Sequence, residues 1–244
     1  GSADLKLQGL NRYTAWATCG IGGIQLTAAA GVEPNRQRPA GIQVWTAHPA
    51  ERLHDGSRGD PLDAPPALSL SGVRNGTFCG QIAIGSTQAI RNVHATSGDL
   101  RREGGAGTIP AAAIELFYVV ANDRLPARQG QPAWLDILAA EPPETVEASS
   151  AGAVLPVWVR VRVPRDTPPG RYEGAVTVSA SGLAPTPVPL RIGVADWTLP
   201  DPKEFRTHVG LIQSPESPAL YYGDELWSDE HWRQVEASFA LLAE

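Results

Sequence analysis

The strongest constraint on the fold is an alternating run, VWVRVRVPRDTPPGRYEGAVTV, at residues 157–178. Valine at every second position in its first arm has the period of a strand with one buried face. The alternation stops at Pro164, which has no N–H to donate to a ladder, and resumes at Tyr172. Between the arms, Pro169-Gly170 fits the middle of a type II turn. The run therefore predicts an antiparallel hairpin that a second apolar layer must cover. The side chains predicted to be buried are Val157, Val159, Val161, Val163, Tyr172, Val176 and Val178.

Short alternating runs recur along residues 38–196, separated by turns rich in glycine and proline. They occupy residues 42–46, 68–70, 78–84, 90–95, 114–120 and 188–194. With the two arms above they make about eight strands with no helix between them, which predicts an antiparallel β-sandwich. Prolines at positions 185, 187 and 189 open the last strand and predict a sheet edge there.

Composition excludes several classes of function. The net charge is −6 without a basic cluster, which argues against nucleic acid and anionic membrane surfaces as partners. No apolar run approaches the roughly 18 residues of a membrane span. Nucleophile-elbow, zinc-protease, CxxC and Walker patterns are absent, so the sequence predicts neither a metal nor a cofactor. Cys19 and Cys79 leave two interpretations open, a disulfide in an exported protein or two buried thiols.

The tail has a different character. DWTLPDP at residues 196–202 predicts a stiff linker, and the apolar residues 209–212 predict a strand. Ser228 is a predicted N-cap for a helix over residues 228–242, with Trp227 and Trp232 at the positions of a hydrophobic staple. Strand, loop and helix together predict the opening of a β/α unit. The helical stripe predicted to face protein consists of Trp232, Val235, Phe239 and Leu242.

Three stretches resemble glycoside hydrolase family 123 and its uncharacterised relatives. They are WVRVRVPRDTPPGRYEGAVTV at 158–178, VADWTLP at 194–200, and the tryptophan-rich YYG…LWSDEHW at 221–232. Residues 40–80 fit as well, with Val44-Trp45-Thr46 and with Arg74-Asn75 where that family often reads Arg-Asn-Glu. Gly76 takes the place of that glutamate, a departure that puts any role of the acid in doubt.

The resemblance implies an N-terminal β-sandwich packed on a (β/α)8 barrel. It implies division into an N-terminal segment, possibly of extra strands or linker (1–37), a sandwich (38–198), and a linker with the first β/α unit (199–244). Members of known activity are retaining, substrate-assisted β-N-acetylgalactosaminidases, whose catalytic Asp-Glu pair lies on a later barrel strand. The predicted function is therefore an accessory segment of a secreted glycoside hydrolase. Its expected partners are a carbohydrate and a catalytic barrel, with the catalytic residues downstream of Glu244.

Candidate site residues lie in the tail. Gln213, Tyr221 and Tyr222 follow the first candidate barrel strand, where the loops of such barrels build their active sites. An amide and aromatic faces suit sugar binding. The simpler interpretation is that the two tyrosines pack between the sandwich and the barrel. The adjacent acids Asp224-Glu225 and Asp229-Glu230 are interpreted as solvated surface rather than as a catalytic pair, since one pair opens a helix. No complete active site is predicted.

Two further functions stay open. A carbohydrate-binding module would present an exposed coplanar pair among Trp45, Trp134 and Trp158, whereas an Ig-like structural domain would bury them. Asn75-Gly76-Thr77 matches a glycosylation sequon, but Asn-Gly is more simply a tight hairpin turn. Gly1-Ser2 and the absence of methionine indicate a cloning remnant and a natural start further upstream.

Overall fold

A computed structural model describes residues 38–59, 65–121, 135–206 and 214–243, all within one compact unit that spans residues 38–244. Two sheets dominate it. Sheet I has the strand order β1-β3-β11-β8-β9, and sheet II has the order β2-β13-β12-β6-β7 with β5 also paired to β12. A short β4-β10 pair lies beside them. The strands are β1 Ile42–Ala47, β2 Leu68–Arg74, β3 Gly76–Ser86, β4 Ile90–Arg91, β5 His94–Ser97, β6 Leu100–Arg102, β7 Thr108–Ile109, β8 Ile114–Ala121, β9 Leu135–Ala139, β10 Thr145–Val146, β11 Ala153–Val163, β12 Gly170–Ala180 and β13 Leu183–Thr198.

The two sheets pack face to face around one apolar core, which confirms the predicted sandwich. All seven side chains expected to be buried in β11 and β12 are fully buried, and they contact core residues of both sheets. Every strand pair is antiparallel except β2 with β13, which run parallel. The sandwich is therefore mixed in one place rather than antiparallel throughout.

The predicted hairpin between β11 and β12 is wrong. Strand β11 pairs with β3 and β8 in sheet I, whereas β12 pairs with β13, β5 and β6 in sheet II. The two arms therefore face each other across the core. Their connection turns at residues 164–167, where the Thr167 N–H donates to the Pro164 carbonyl at 3.2 Å. Gly170 has φ +146°, unlike the roughly +80° of a type II turn.

Buried Tyr172 ties this crossover to the core. Its hydroxyl donates to the Pro168 carbonyl at 2.7 Å, and burial raises the pKa of the phenol. The hairpin partner of β12 is instead β13, joined through Ser181-Gly182 with Gly182 at φ +82°. The prolines of β13 lie at an edge, as predicted, because β2 begins to pair with β13 only at Leu190.

Asn75 also forms a corner rather than a hairpin turn, because β2 belongs to sheet II and β3 to sheet I. The single run predicted at residues 90–95 is broken into β4 and β5 at Asn92, which has φ +54°. Residues 135–139 and 145–146 form the short strands β9 and β10. Residues 122–134, among them Trp134, lie outside the described residues.

Two helices follow the sandwich. A 3-10 turn, Pro202–Glu204, precedes α1 (Glu216–Tyr222) and α2 (Asp229–Ala243); another 3-10 turn, Ala111–Ala113, precedes β8. Helix α2 matches the predicted helix, but α1 occupies part of what the sequence presented as a loop. The predicted barrel strand at 209–212 falls outside the described residues. The β/α unit itself therefore remains a prediction.

Candidate functional site

The two candidate tyrosines lie side by side at the end of α1, not in a loop. The rings of Tyr221 and Tyr222 meet edge to face with centroids 4.9 Å apart. Both line a groove of about 780 Å³ between α1 and α2. The third candidate, Gln213, lies outside the described residues. The groove is lined on its α2 side by Gln234, Val235, Ala237, Ser238, Phe239 and Leu241.

The stripe of α2 is only partly covered by the described residues, and its packing against protein, either within this chain or on another domain or chain, stays a prediction. Val235 is buried, but Trp232 is 48% exposed and Phe239 is 58% exposed. The side chain of Leu242 lies outside the described residues. The physical reason is that α1 has seven residues against fifteen in α2, too few to cover the longer helix.

His231, which the sequence analysis did not single out, organises the helical segment. Its side chain is fully buried. Nδ1 accepts the Trp227 N–H at 2.8 Å, so the ring proton lies on Nε2, which donates to the Pro215 carbonyl at 2.6 Å. One imidazole therefore connects the start of α1, the loop and the first turn of α2. The sequence shows a lone histidine in a polar first turn, which carries no sign of this role.

Trp227 has an unusual backbone conformation, and its N–H donates the hydrogen bond to His231 Nδ1. Its φ is +68°, a left-handed conformation that is rare for a bulky residue. The indole is 50% exposed, and its centroid lies 5.7 Å from that of Trp232, which confirms the predicted staple. Ser228 is the N-cap, because its hydroxyl accepts the His231 N–H at 3.2 Å. The segment thus presents two half-exposed indoles at the start of α2.

The adjacent acids lie at or near the surface of the helical segment. Glu230 pairs with Arg233 on its own helix and accepts from Gln234. Glu225 and Asp229 are exposed, and Asp224 is partly buried. The clear shifts of carboxyl pKa among the described residues are all downward. They are those of Glu115, Asp201 and Glu216, each caused first by a side-chain hydrogen bond.

Trp45 packs within the sandwich and is not available for an exposed platform. Trp45 is buried on the outer face of sheet I, in a small cluster with Leu53, Ala83 and Val154. Trp158 is half-buried opposite Phe117, over whose ring the Arg160 guanidinium lies at 4.9 Å. Trp134 lies outside the described residues. This arrangement argues for packing by Trp45 and against a platform that includes it.

Other chemistry is limited in the described part of the chain. It contains no group of three histidine, cysteine or acidic side chains placed to hold a metal ion. None of its helices is long and apolar enough to cross a membrane. Cys79 is a free, half-buried thiol on β3, and Cys19 lies outside the described residues.

A two-sheet sandwich followed by a helical segment defines the class as a β-sandwich domain with a C-terminal extension. Comparison with known proteins shows which family this sandwich resembles. The sequence model of the glycoside hydrolase 123 N-terminal domain matches residues 65–180. Those residues are therefore similar to that domain, and the resemblance to family 123 is confirmed.

One solved structure supports the same fold. It is a family 123 glycoside hydrolase from Clostridium perfringens, described for its hydrolysis of glycolipid glycans, with 17% identity and a TM-score of 0.62. The match covers 80% of this chain but 34% of that enzyme, so the chain spans about a third of its length.

Other solved structures share only a general likeness. A PapD-like domain of human CEP192 gives a TM-score of 0.32 at 8% identity, covering 72% of this chain and 100% of that domain. The CupB6 tip adhesin of Pseudomonas aeruginosa gives 0.33 at 12%, covering 69% and 47%. Among curated proteins no match is found.

Proposed function

We propose that this chain is the N-terminal accessory segment of a family-123-like glycoside hydrolase that acts on a glycan outside the cytoplasm. In this proposal residues 38–198 are the sandwich, 199–244 lead into a (β/α)8 catalytic domain, and 1–37 precede the sandwich. The family match at residues 65–180 and the shared fold over 80% of the chain support it.

The observation that carries the proposal is the apolar surface of the helical segment. Six large apolar side chains there are about half exposed or more, although soluble domains rarely leave large contiguous apolar patches in water. In a (β/α)8 barrel the first helix packs on the barrel and its neighbouring helices. A catalytic domain would therefore cover this surface. The exposed side chains are Leu220, Leu226, Trp227, Trp232, Phe239 and Leu241.

The same geometry suggests where substrate contacts would arise. The loops that precede barrel helices form the catalytic face of such enzymes. The loop before α2 carries Trp227, and α1 brings Tyr221 and Tyr222 close to it in sequence. We assign Tyr221 and Tyr222, with Gln213, to sugar contacts at that face, and a β-N-acetylgalactosaminide is the substrate we favour. The acids expected to catalyse its hydrolysis lie in the catalytic domain.

The first prediction concerns activity. Residues 1–244 alone should not hydrolyse an aryl β-N-acetylgalactosaminide, because no acidic side chain lines the described groove between α1 and α2. A protein extended through the barrel should hydrolyse it. The assay compares both proteins with the variants Asp224→Ala, Glu225→Ala, Asp229→Ala and Glu230→Ala. Turnover by the short chain that disappears in one of these variants would place the active site inside it and overturn the proposal.

A second candidate function is non-catalytic glycan binding, favoured by the two half-exposed indoles of Trp227 and Trp232. Sugar rings can stack on such aromatic faces without any catalytic acid or base. If this function is correct, the chain binds a glycan array and Trp227→Ala abolishes the binding. Trp197→Ala is the matched control, since that indole is 53% exposed on β13 of the sandwich.

A further inference from the structure

The corner between the two sheets also holds the chain where it leaves the sandwich. Asn75 connects β2 of sheet II to β3 of sheet I in a left-handed conformation, φ +60°, which asparagine tolerates better than most residues. Its backbone N–H donates to the Val163 carbonyl at the end of β11 at 2.9 Å. This residue therefore contacts the ends of three strands from both sheets.

The side chain of Asn75 reaches the departing chain. Nδ2 donates to the Leu199 carbonyl at 3.0 Å and to Asp201 Oδ1 at 2.9 Å. The adjacent residue adds two more contacts. The Arg74 carbonyl accepts the Leu199 N–H at 3.0 Å, and its guanidinium donates to Asp196 Oδ1 at 3.0 Å. Residues 196–201 are thus fixed to the sandwich at both main-chain and side-chain atoms.

Asp201 is where these contacts converge. Arg165, in the crossover between β11 and β12, donates to the same Oδ1 at 2.6 Å. The hydrogen bond from Arg165, and after it that from Asn75, lowers the pKa of this carboxyl group. Asp201 also begins the next turn, because its carbonyl accepts the Glu204 N–H at 2.8 Å. Pro200 and Pro202 on either side restrict φ and stiffen the segment.

We infer that Asn75, Arg165 and Asp201 form a joint that fixes the direction in which the chain leaves the sandwich toward the helical segment. An exposed ion pair alone contributes little. Here a neutral amide and a guanidinium share one carboxylate oxygen, while the main chain is held on both sides of it. The joint would transmit the orientation of the sandwich to whatever follows, and it does not depend on the proposed enzymatic activity.

Limited trypsin digestion tests the joint, because Lys203 lies exposed in the turn just after Asp201. Cleavage by a protease tracks the population of the open form when opening is fast. Asn75→Ala and Asp201→Ala should each accelerate cleavage after Lys203 by about tenfold, because both remove hydrogen bonds to a charged group. Asp201→Asn, which keeps the size of the side chain, should give a smaller acceleration.

The matched control is Glu173→Ala, which breaks the Glu173–Arg191 ion pair, comparably exposed, on sheet II. It should leave the cleavage rate at Lys203 unchanged. A double-mutant cycle of Arg165→Ala and Asp201→Ala keeps the test decisive if Asn75→Ala misfolds. Cleavage rates that combine non-additively support the joint. Parent-like cleavage in Asp201→Ala, or full additivity in the cycle, overturns it.

Discussion

Phe78 fills the space beside position 76, where the resemblance to family 123 implies a glutamate. A Cβ built on Gly76 would lie 2.7 Å from Phe78 Cζ and 3.0 Å from Leu199 Cδ1. A Cβ on Gly72 would lie 2.6 Å from the same ring. The ring of Phe78 thus occupies the space of two missing side chains. A glutamate at position 76 would require this ring to move.

We therefore predict that Gly76→Ala destabilises the sandwich by about 1–3 kcal/mol, the usual cost of overpacking a close contact. Gly193→Ala is the control, because a Cβ there meets no atom within 4 Å and its φ is not in the left-handed region. Urea unfolding of both variants measures the difference. Equal stabilities for the two would show that Phe78 yields without cost.

The alternating strands show what the sequence reveals about an element and what it hides. A period of two fixed the buried face of β11 and of β12, and every predicted core valine is buried. It could not identify the neighbouring strand, because the same face would be buried in a hairpin or across a sandwich. The six residues between the strands, three of them prolines, lead the chain from sheet I to sheet II instead of through a hairpin turn. Their effect on direction is not readable from turn propensity alone.

The candidate site was predicted less completely than the fold. Tyr221, Tyr222 and the helix cap were recognisable because aromatic pairs and Ser228 have local sequence signals. His231 was not, because its partners, the Pro215 carbonyl and the Trp227 N–H, are main-chain atoms that any sequence supplies. Helix α1 was missed for a similar reason, since a seven-residue helix has too few positions to show a period.

At the scale of the helix pair, we predict that His231→Ala loosens α1 from α2. The substitution removes the hydrogen bonds to the Pro215 carbonyl and the Trp227 N–H, at a cost of about 0.5–1.5 kcal/mol for each bond. Hydrogen exchange should accelerate across residues 214–231 while the sandwich strands stay protected. Gln234→Ala is the control, because it removes only a 3.2 Å contact with Glu230 on the same helix. Unchanged exchange in His231→Ala would mean that the helices pack without the imidazole.

The described part of the molecule combines a sandwich with a buried apolar core and a helical segment with an exposed apolar surface. The core between sheets I and II consists of side chains that are almost fully buried. Helices α1 and α2, in contrast, bury Ala219, Val235 and His231 and expose Leu220, Trp232, Phe239 and Leu241. The net charge of −6 favours solubility of the chain as a whole. The net charge does not remove the hydrophobic driving force for association of the exposed apolar surface. The two parts therefore differ in what they need to be stable.

This difference predicts that the same double substitution has different effects on stability in two proteins. In the 244-residue chain, Phe239→Ser with Leu241→Ser should leave the melting temperature of the sandwich unchanged, because these side chains are 58% and 72% exposed. It should also lower the binding of a hydrophobic dye and any self-association seen by sedimentation.

In a protein extended through the proposed barrel, the same pair should cost about 2–5 kcal/mol for each side chain that becomes fully buried, because apolar contacts are replaced by unpartnered hydroxyls. Leu138→Ser, at a half-exposed position on β9 of the sandwich, is the control and should have the same small effect in both proteins. Chemical denaturation of the extended protein, followed by tryptophan fluorescence, measures the loss. A small effect of the double substitution in both proteins would show that this surface faces solvent throughout, and that the catalytic domain does not pack against it.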